Sequence, residues 1–155
     1  MIDKTFYSWA QIQKMSVFLA KLVEPKLYTH IIGLSRGGCI PATIMSHYLN
    51  IPMIPLVVST RDHAEEMIPD FPIGHGDGLS YIDQYRFLVV DDINDTGHTF
   101  KRVRDIMRQR GALYTDYAVL IDNEPSEFEV HYWAKKINKD KDPAWIVYPW
   151  EIENE

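Results

Sequence analysis

Apolar residues at Phe6, Trp9, Ile12, Met15, Phe18, Leu19 and Leu22 recur at the spacing of one helix face, which predicts a covering helix within Thr5 to Val23 and places Trp9 in the core. Ser8 stands where it can cap that helix, with Gln11 three residues on, and Glu24-Pro25 ends it. The period then changes. Tyr28 to Leu34 (YTHIIGL) reads as a strand that runs through Ser35-Arg36-Gly37-Gly38 into a helix from Ile40 to Leu49. Ile51 to Val58 is a second strand, whose Pro52 and Pro55 suit a strand start or a sheet edge better than a central ladder. From Ser59 to Asp83 no period is sustained, and Pro69, Pro72, Gly74, Gly76 and Gly78 punctuate a long loop.

Phe87-Leu88-Val89-Val90 is a short continuous apolar run, as in a strand buried on both faces of a parallel sheet. Asp91 and Asp92 close it, and a helix from Phe100 to Arg110 follows, stopped at Gly111. Strands at Tyr114 to Ile121, Val130 to Ala134 and Trp145 to Tyr148 complete the pattern, with Lys135 to Pro143 as a charged connector. Strands alternating with helices predict an α/β fold, a Rossmann-like parallel sheet flanked by helices. Neither repeat nor linker interrupts the 155 residues, so one domain is expected.

Composition narrows the setting. The apolar share of 46% and charged share of 25% are ordinary for a globular domain. No apolar run approaches the ~20 residues that span a bilayer, and the N-terminus lacks a signal-peptide pattern, so a cytoplasmic protein without membrane contact is expected. A formal net charge of −6 speaks against a nucleic-acid partner but not against an anionic small ligand held locally. The single Cys39 reads as a small residue packed at a helix start. His63 and His75 read as solvated loop residues, because no second ligand lies at metal spacing. The cations from Lys101 to Arg110 read as a solvated helix face.

The candidate chemistry sits in the turn after Val90. Asp95, Thr96, Gly97, His98 and Thr99 lead into a helix, whose first N–H groups and positive dipole end favour a phosphate. Asp91 and Asp92 would repel that phosphate. The combination predicts a ligand with two different ends, phosphate oxygens for the glycine turn and hydroxyls or a metal for the acids. Ser35 to Gly38 forms a second strand-to-helix turn, with Arg36 as a charged anion ligand.

An apolar strand, an acid pair and then D-T-G-x-T resembles the 5-phosphoribosyl-1-pyrophosphate (PRPP) motif of the type I phosphoribosyltransferases. G-L-S-R-G-G-C-I-P-A and W-I-V-Y-P-W-E resemble the xanthine-guanine branch of the 6-oxopurine enzymes. The resemblance implies a core over about 1–121, a small C-terminal hood over about 122–155 and a lid loop at about 59–83. It implies that Asp91 and Asp92 hold the ribose hydroxyls and that Asp95 to Thr99 cradle the 5′-phosphate. Ser35 to Gly38 would hold the pyrophosphate, with a cis peptide at Ser35-Arg36. It further implies Mg²⁺, with Asp91, Asp92 and Glu151 as candidate ligands. Ser59, Thr60 and Arg61 would start the lid, Arg61 standing where relatives commonly carry Tyr. Asp95 matches an aspartate placed near the base N7, a general base, and it can equally serve as a helix N-cap. Trp145, or Tyr132 and Trp133, would stack a nucleobase, and the Ile146 backbone would read its edge.

One departure stands out. The 6-oxopurine enzymes usually present a lysine after the strand matching Tyr117 to Ile121, whereas this chain reads Ile121-Asp122-Asn123-Glu124-Pro125. Asn123 is then the candidate donor, with guanine, hypoxanthine and xanthine favoured. The implied activity is transfer of the phosphoribosyl group from PRPP to a purine base in salvage, by a homodimer. The alternatives are a non-catalytic PRPP- or nucleotide-binding regulator and a phosphoribosyltransferase for a different base. A lid-sized loop without a DNA-binding appendage favours the enzyme.

Overall fold

The computed structural model describes residues 3–23, 27–58 and 85–151. Ten elements follow in chain order: β1 (Asp3–Phe6), α1 (Trp9–Leu22), β2 (His30–Leu34), α2 (Cys39–Leu49), β3 (Met53–Leu56), β4 (Phe87–Asn94), α3 (His98–Gln109), β5 (Thr115–Asn123), β6 (Tyr132–Ile137) and β7 (Ala144–Val147). Five strands form one parallel sheet in the order β3-β2-β4-β5-β6. β4 lies at its centre, as its run of buried apolar residues requires, and the proline-bearing β3 lies at an edge.

Alternation along β4 divides the core into two layers. Leu88 and Val90 pack with Ile12 and Leu19 of α1 and with Ala42 and Met45 of α2. Phe87 and Val89 face the other way, onto Phe100, Val103 and Met107 of α3. Helices therefore cover both faces of the sheet, and its C-terminal edge stays open for a ligand.

Several boundaries differ from the sequence pattern. β4 continues through both aspartates to Asn94, since Asp91, Ile93 and Asn94 stay in register with Val119, Ile121 and Asp122 of β5. The acid pair thus belongs to the strand's last turns of ladder. At the other end of the chain, α1 begins only at Trp9, with the Ser8 and Gln11 capping box in place, and Asp3–Phe6 is a strand. That strand pairs in parallel with β7, Phe6 lying opposite Val147, in a separate two-stranded sheet. Trp9 is consequently not a core residue: it is 57% exposed and tilts against Trp150. The charged connector is also shorter than its composition suggests, because β6 runs on to Ile137 in register with Asn123. Among the described residues no helix is long and apolar enough to cross a membrane.

Candidate active site

Two strand-to-helix turns meet at the open edge of the sheet. The first, from Ser35 to Gly38 between β2 and α2, contains a cis peptide at Ser35-Arg36, as the resemblance implies. It is tied down by the Ser35 N–H, which donates to the Leu56 carbonyl at 2.9 Å. Cys39 Sγ lies 3.4 Å from both the Gly33 carbonyl and Ser35 Oγ, which is the packing role expected of a small residue at a helix start. A Cβ on Gly37 would fall 2.0 Å from Asp92 Oδ2, and one on Gly38 would fall 2.8 Å from the Asp91 Cα. Only glycine lets this loop lie flat against the acid pair.

The second turn follows β4. Gly97 sits at the N-cap of α3 with φ 90°, a conformation that favours glycine, and no side chain caps the helix. The first N–H groups of α3 are left to receive an anion. The Thr96 hydroxyl lies 3.4 Å from the His98 N–H, and Asp91 to Gly97, Thr99 and Phe100 line a cleft of about 220 Å³. Gly97 is also pressed from behind, since a Cβ there would meet the Phe128 N at 2.7 Å. A buried network holds that wall in place. The Asn94 amide donates to Asp122 Oδ1 and to the Phe128 carbonyl, both at 2.8 Å, and its oxygen accepts from Ser126 Oγ at 2.9 Å. The Glu127 N–H donates to the Thr96 carbonyl at 3.1 Å, and its carboxylate pairs with Lys101, one of the cations whose sequence reads as solvated.

Between the turns lies the acid pair. Each carboxylate accepts the N–H of the next residue, Asp91 from Asp92 at 2.9 Å and Asp92 from Ile93 at 2.8 Å. Burial, and then the charge of Asp92, push the Asp91 carboxyl well above the usual carboxylate range. Burial raises Asp92 as well, with the Glu151 carboxylate adding to the crowding. Tyr148, just after β7, closes the acids on one side, its hydroxyl donating to the Asp92 carbonyl at 3.1 Å and its ring stacked on Trp150. Glu151 does not join the acids as a third arm of a metal cage. Its carboxylate accepts the Tyr148 N–H at 3.2 Å, and among the described residues no group of three potential ligands is placed to hold a metal.

Asp95 departs from the N-cap reading. Its Oδ2 accepts from Lys139 Nζ at 2.8 Å, and its Oδ1 from the Asn123 amide at 3.2 Å. The Asn123 amide also reaches the Asp95 carbonyl at 3.0 Å, and its oxygen accepts the Lys139 N–H at 3.0 Å. A lysine is therefore present at this end of the site, delivered by the turn after β6. Sequence reasoning misses it because Lys139 lies in K-K-I-N-K-D-K-D, where each lysine looks like solvent-facing charge. No local signal marks it: only the pairing of Asn123 with Ile137 in the folded sheet carries the chain to Lys139 two residues later.

The remaining candidates are dispersed. Trp145 on β7 is 58% exposed and free to stack, and Ile146 beside it is buried. Tyr132 is not free: its hydroxyl lies 3.1 Å from that of Tyr28, and its ring packs on the core. Lys136 covers the Trp133 ring at 4.2 Å. The lid residues Ser59, Thr60 and Arg61, with His63 and His75, lie outside the described residues.

A parallel sheet whose central strand carries paired acids near its C-terminal end, between two strand-to-helix glycine turns, defines the nucleotide- or sugar-phosphate-binding class of α/β protein. The model of the phosphoribosyl transferase domain matches residues 11–154, and the chain belongs to that family. It is 35% identical to the xanthine-guanine phosphoribosyltransferase of Idiomarina loihiensis over 150 residues, 95% of this chain and 86% of that one. The crystal structure of a purine phosphoribosyltransferase from Pyrococcus horikoshii shares 30% identity, covers 99% of this chain and 98% of its own, and superposes with a TM-score of 0.77. The fold is shared as well with the Helicobacter pylori xanthine-guanine-hypoxanthine phosphoribosyltransferase, at 20% identity, 96% and 94% coverage and a TM-score of 0.72.

Proposed function

We propose that this protein transfers the 5-phosphoribosyl group of PRPP to a purine base, giving a nucleoside 5′-monophosphate and pyrophosphate, in purine salvage. The observation that carries this reading is the contact of Gly37 with Asp92, which sets one anion turn directly across the acid pair from the other. PRPP has that shape: a pyrophosphate, a diol and a phosphate in sequence. Ser35 to Gly38 bind the pyrophosphate, Asp91 and Asp92 accept hydrogen bonds from the ribose hydroxyls, and the turn from Asp95 to Thr99 holds the 5′-phosphate through its free N–H groups.

The bond from ribose C1 to pyrophosphate oxygen breaks as a base nitrogen donates its lone pair to C1. Positive charge builds on the sugar, beside the two aspartates, which stabilise it. Asp95 takes the proton that the base ring gives up. Trp145 offers its exposed ring to the base. Asp91 and Asp92 are the residues that would hold Mg²⁺, since a cation would relieve their buried, crowded carboxyls. Such an ion would supply positive charge to offset that of the leaving pyrophosphate. A homodimer in the cytoplasm completes the proposal; the dimer is supported by Phe18 and Leu22, one turn apart on α1 and about half exposed.

The test is a panel of free bases with PRPP and Mg²⁺, read by pyrophosphate release. Release with guanine, hypoxanthine or xanthine is expected. Tight PRPP binding without release on any base would replace the enzyme by a sensor, and release with another base alone would reassign the acceptor.

A further inference from the structure

We propose that the cavity between α3, the start of β5 and the connection from β5 to β6 is a second ligand site, which takes a nucleoside monophosphate and, when filled, strengthens anion binding at the turn from Asp95 to Thr99. The coupling, though not the site, rests on the reading of that turn as the 5′-phosphate site. The cavity measures about 330 Å³, enough for a small ligand, and shares no lining residue with the cleft of the acid pair. Met107, Tyr117 and Phe128, all buried, give it an apolar floor. Arg104 and Arg108, one turn apart on α3, line its side.

These arginines have more donors than the chain satisfies. Arg104 Nε is buried without a hydrogen-bond partner among the described residues, and the Asp105 carboxylate stays 3.6 Å from it. Arg108 makes no ion pair among the described residues. A buried donor without an acceptor is costly, and a guanidinium presents the fork that phosphate oxygens fit. The other polar groups define the rest of the ligand. Glu127 is already met by Lys101, and His131 is fixed, its Nε2 3.0 Å from Asp116 Oδ1 and its Nδ1 accepting the Tyr117 N–H at 3.1 Å. Glu129 remains in the lining as an acceptor. A phosphate monoester of a nucleoside answers all three features: phosphate for the arginines, a sugar hydroxyl for Glu129 and a base over the apolar floor.

Phe128 belongs to both sites. It lines the cavity, with the Arg104 guanidinium 5.8 Å from its ring centre, and its backbone N stands so close behind Gly97 that a Cβ there would meet it at 2.7 Å. Glu127 beside it donates its N–H to the Thr96 carbonyl at 3.1 Å. A ligand seated on this segment braces it against the turn, and by linkage an anion in the turn favours the ligand in the cavity equally.

CMP is the probe, because a pyrimidine nucleotide is not a product of the proposed reaction. Calorimetry is run with saturating PRPP and Mg²⁺, so that the acid pair and both anion turns are filled. Wild type is expected to bind CMP beside PRPP, Arg108→Gln about tenfold more weakly, and Arg104→Gln with Arg108→Gln about 100-fold more weakly. Arg108→Gln changes an exposed side chain and should keep the wild-type melting temperature and PRPP affinity, which separates a lost contact from a lost fold. CMP should also slow release of prebound PRPP by about fivefold or more in wild type and not in the double variant, an effect that a competitor for the turn cannot produce. No CMP binding beside PRPP, or binding indifferent to both arginines, would overturn the site. Inorganic phosphate binding as tightly as CMP would overturn the nucleotide, and an unchanged release rate would overturn the coupling. Failure of wild type to bind PRPP would sink the transfer reaction, while the dependence of CMP binding on the arginines would still decide the cavity.

Discussion

Between Asp91 and Thr99 one continuous strand, turn and helix builds the proposed phosphate end of the site, whereas the proposed base end is assembled at Asp95 from partners 28 and 44 residues away in sequence. The phosphate end works largely through backbone: free N–H groups, a left-handed glycine and loops close enough to touch. The base end works through side chains, an amide and an ammonium meeting one carboxylate. Backbone recognition needs a particular local conformation and so leaves a contiguous signature of glycines and acids. Side-chain recognition needs only that three segments arrive at one place, and tertiary structure arranges that. One protein can therefore keep its sugar-phosphate end fixed while its acceptor end moves its donors to other elements.

The sharpest way to separate the ends is to remove both acids. Asp91→Asn with Asp92→Asn is expected to weaken PRPP binding by at least about 100-fold, measured by calorimetry, since two charge-assisted contacts are lost. The same variant should be more stable without ligand. Burial raises both carboxyls above the ordinary aspartate value of about 3.9, so the native state holds more protons than the unfolded chain just above that pH. Wild-type stability contributed by these groups therefore falls as pH rises from below the ordinary aspartate pKa through the raised values, and the penalty persists at neutral pH. Thermal melts across pH should show that fall in wild type and its absence in the variant, with the variant gaining about 2–4 °C for each kcal/mol relieved.

Gly97→Val tests the backbone end without touching charge. Its φ of 90° and the Phe128 N close behind it leave no room for a β-branched side chain. A loss of about 1–3 kcal/mol in denaturant melts is expected, with 5′-phosphate affinity lost alongside. Asn123→Ala tests the other end. It removes a buried amide that joins Asp95 to the Lys139 backbone, so about 1–3 kcal/mol of stability and about tenfold or more in base KM should go, while PRPP affinity holds. Equal effects on both substrates would dissolve the distinction between the ends. Ser8→Ala, far from either, should cost about 0.5–2 kcal/mol through the lost helix cap and leave both KM values alone.

The same division decided what could be read from the sequence. The strand-to-helix turns at Ser35 and Asp91, the edge position of β3 and both faces of the core follow from local pattern and prolines, and the structure has them. The apolar stripe places Thr5 and Phe6 inside the first helix, because a four-residue strand shows no period of its own; only β7, more than 130 residues on, makes Asp3–Phe6 a strand. Asp95 could be a cap or a base by sequence. The structure removes the first reading, giving the carboxylate to Lys139 and Asn123 instead of to α3. Trp9 failed for a related reason: its place on the helical stripe was right, but the surface above it is open apart from Trp150.

The pairing of β1 with β7 sets a timetable for synthesis. Strands β2 to β5, which carry both anion turns, can associate once about four-fifths of the chain has been made, since domains begin to order from the N-terminal side as they emerge. β1 must wait, unpaired, until residues 144–147 appear. The proposed grip on sugar phosphate would thus be complete before Trp145 and Ile146 could meet a base, and released chains cut short before Ala144 should keep the first property and bind a base more weakly.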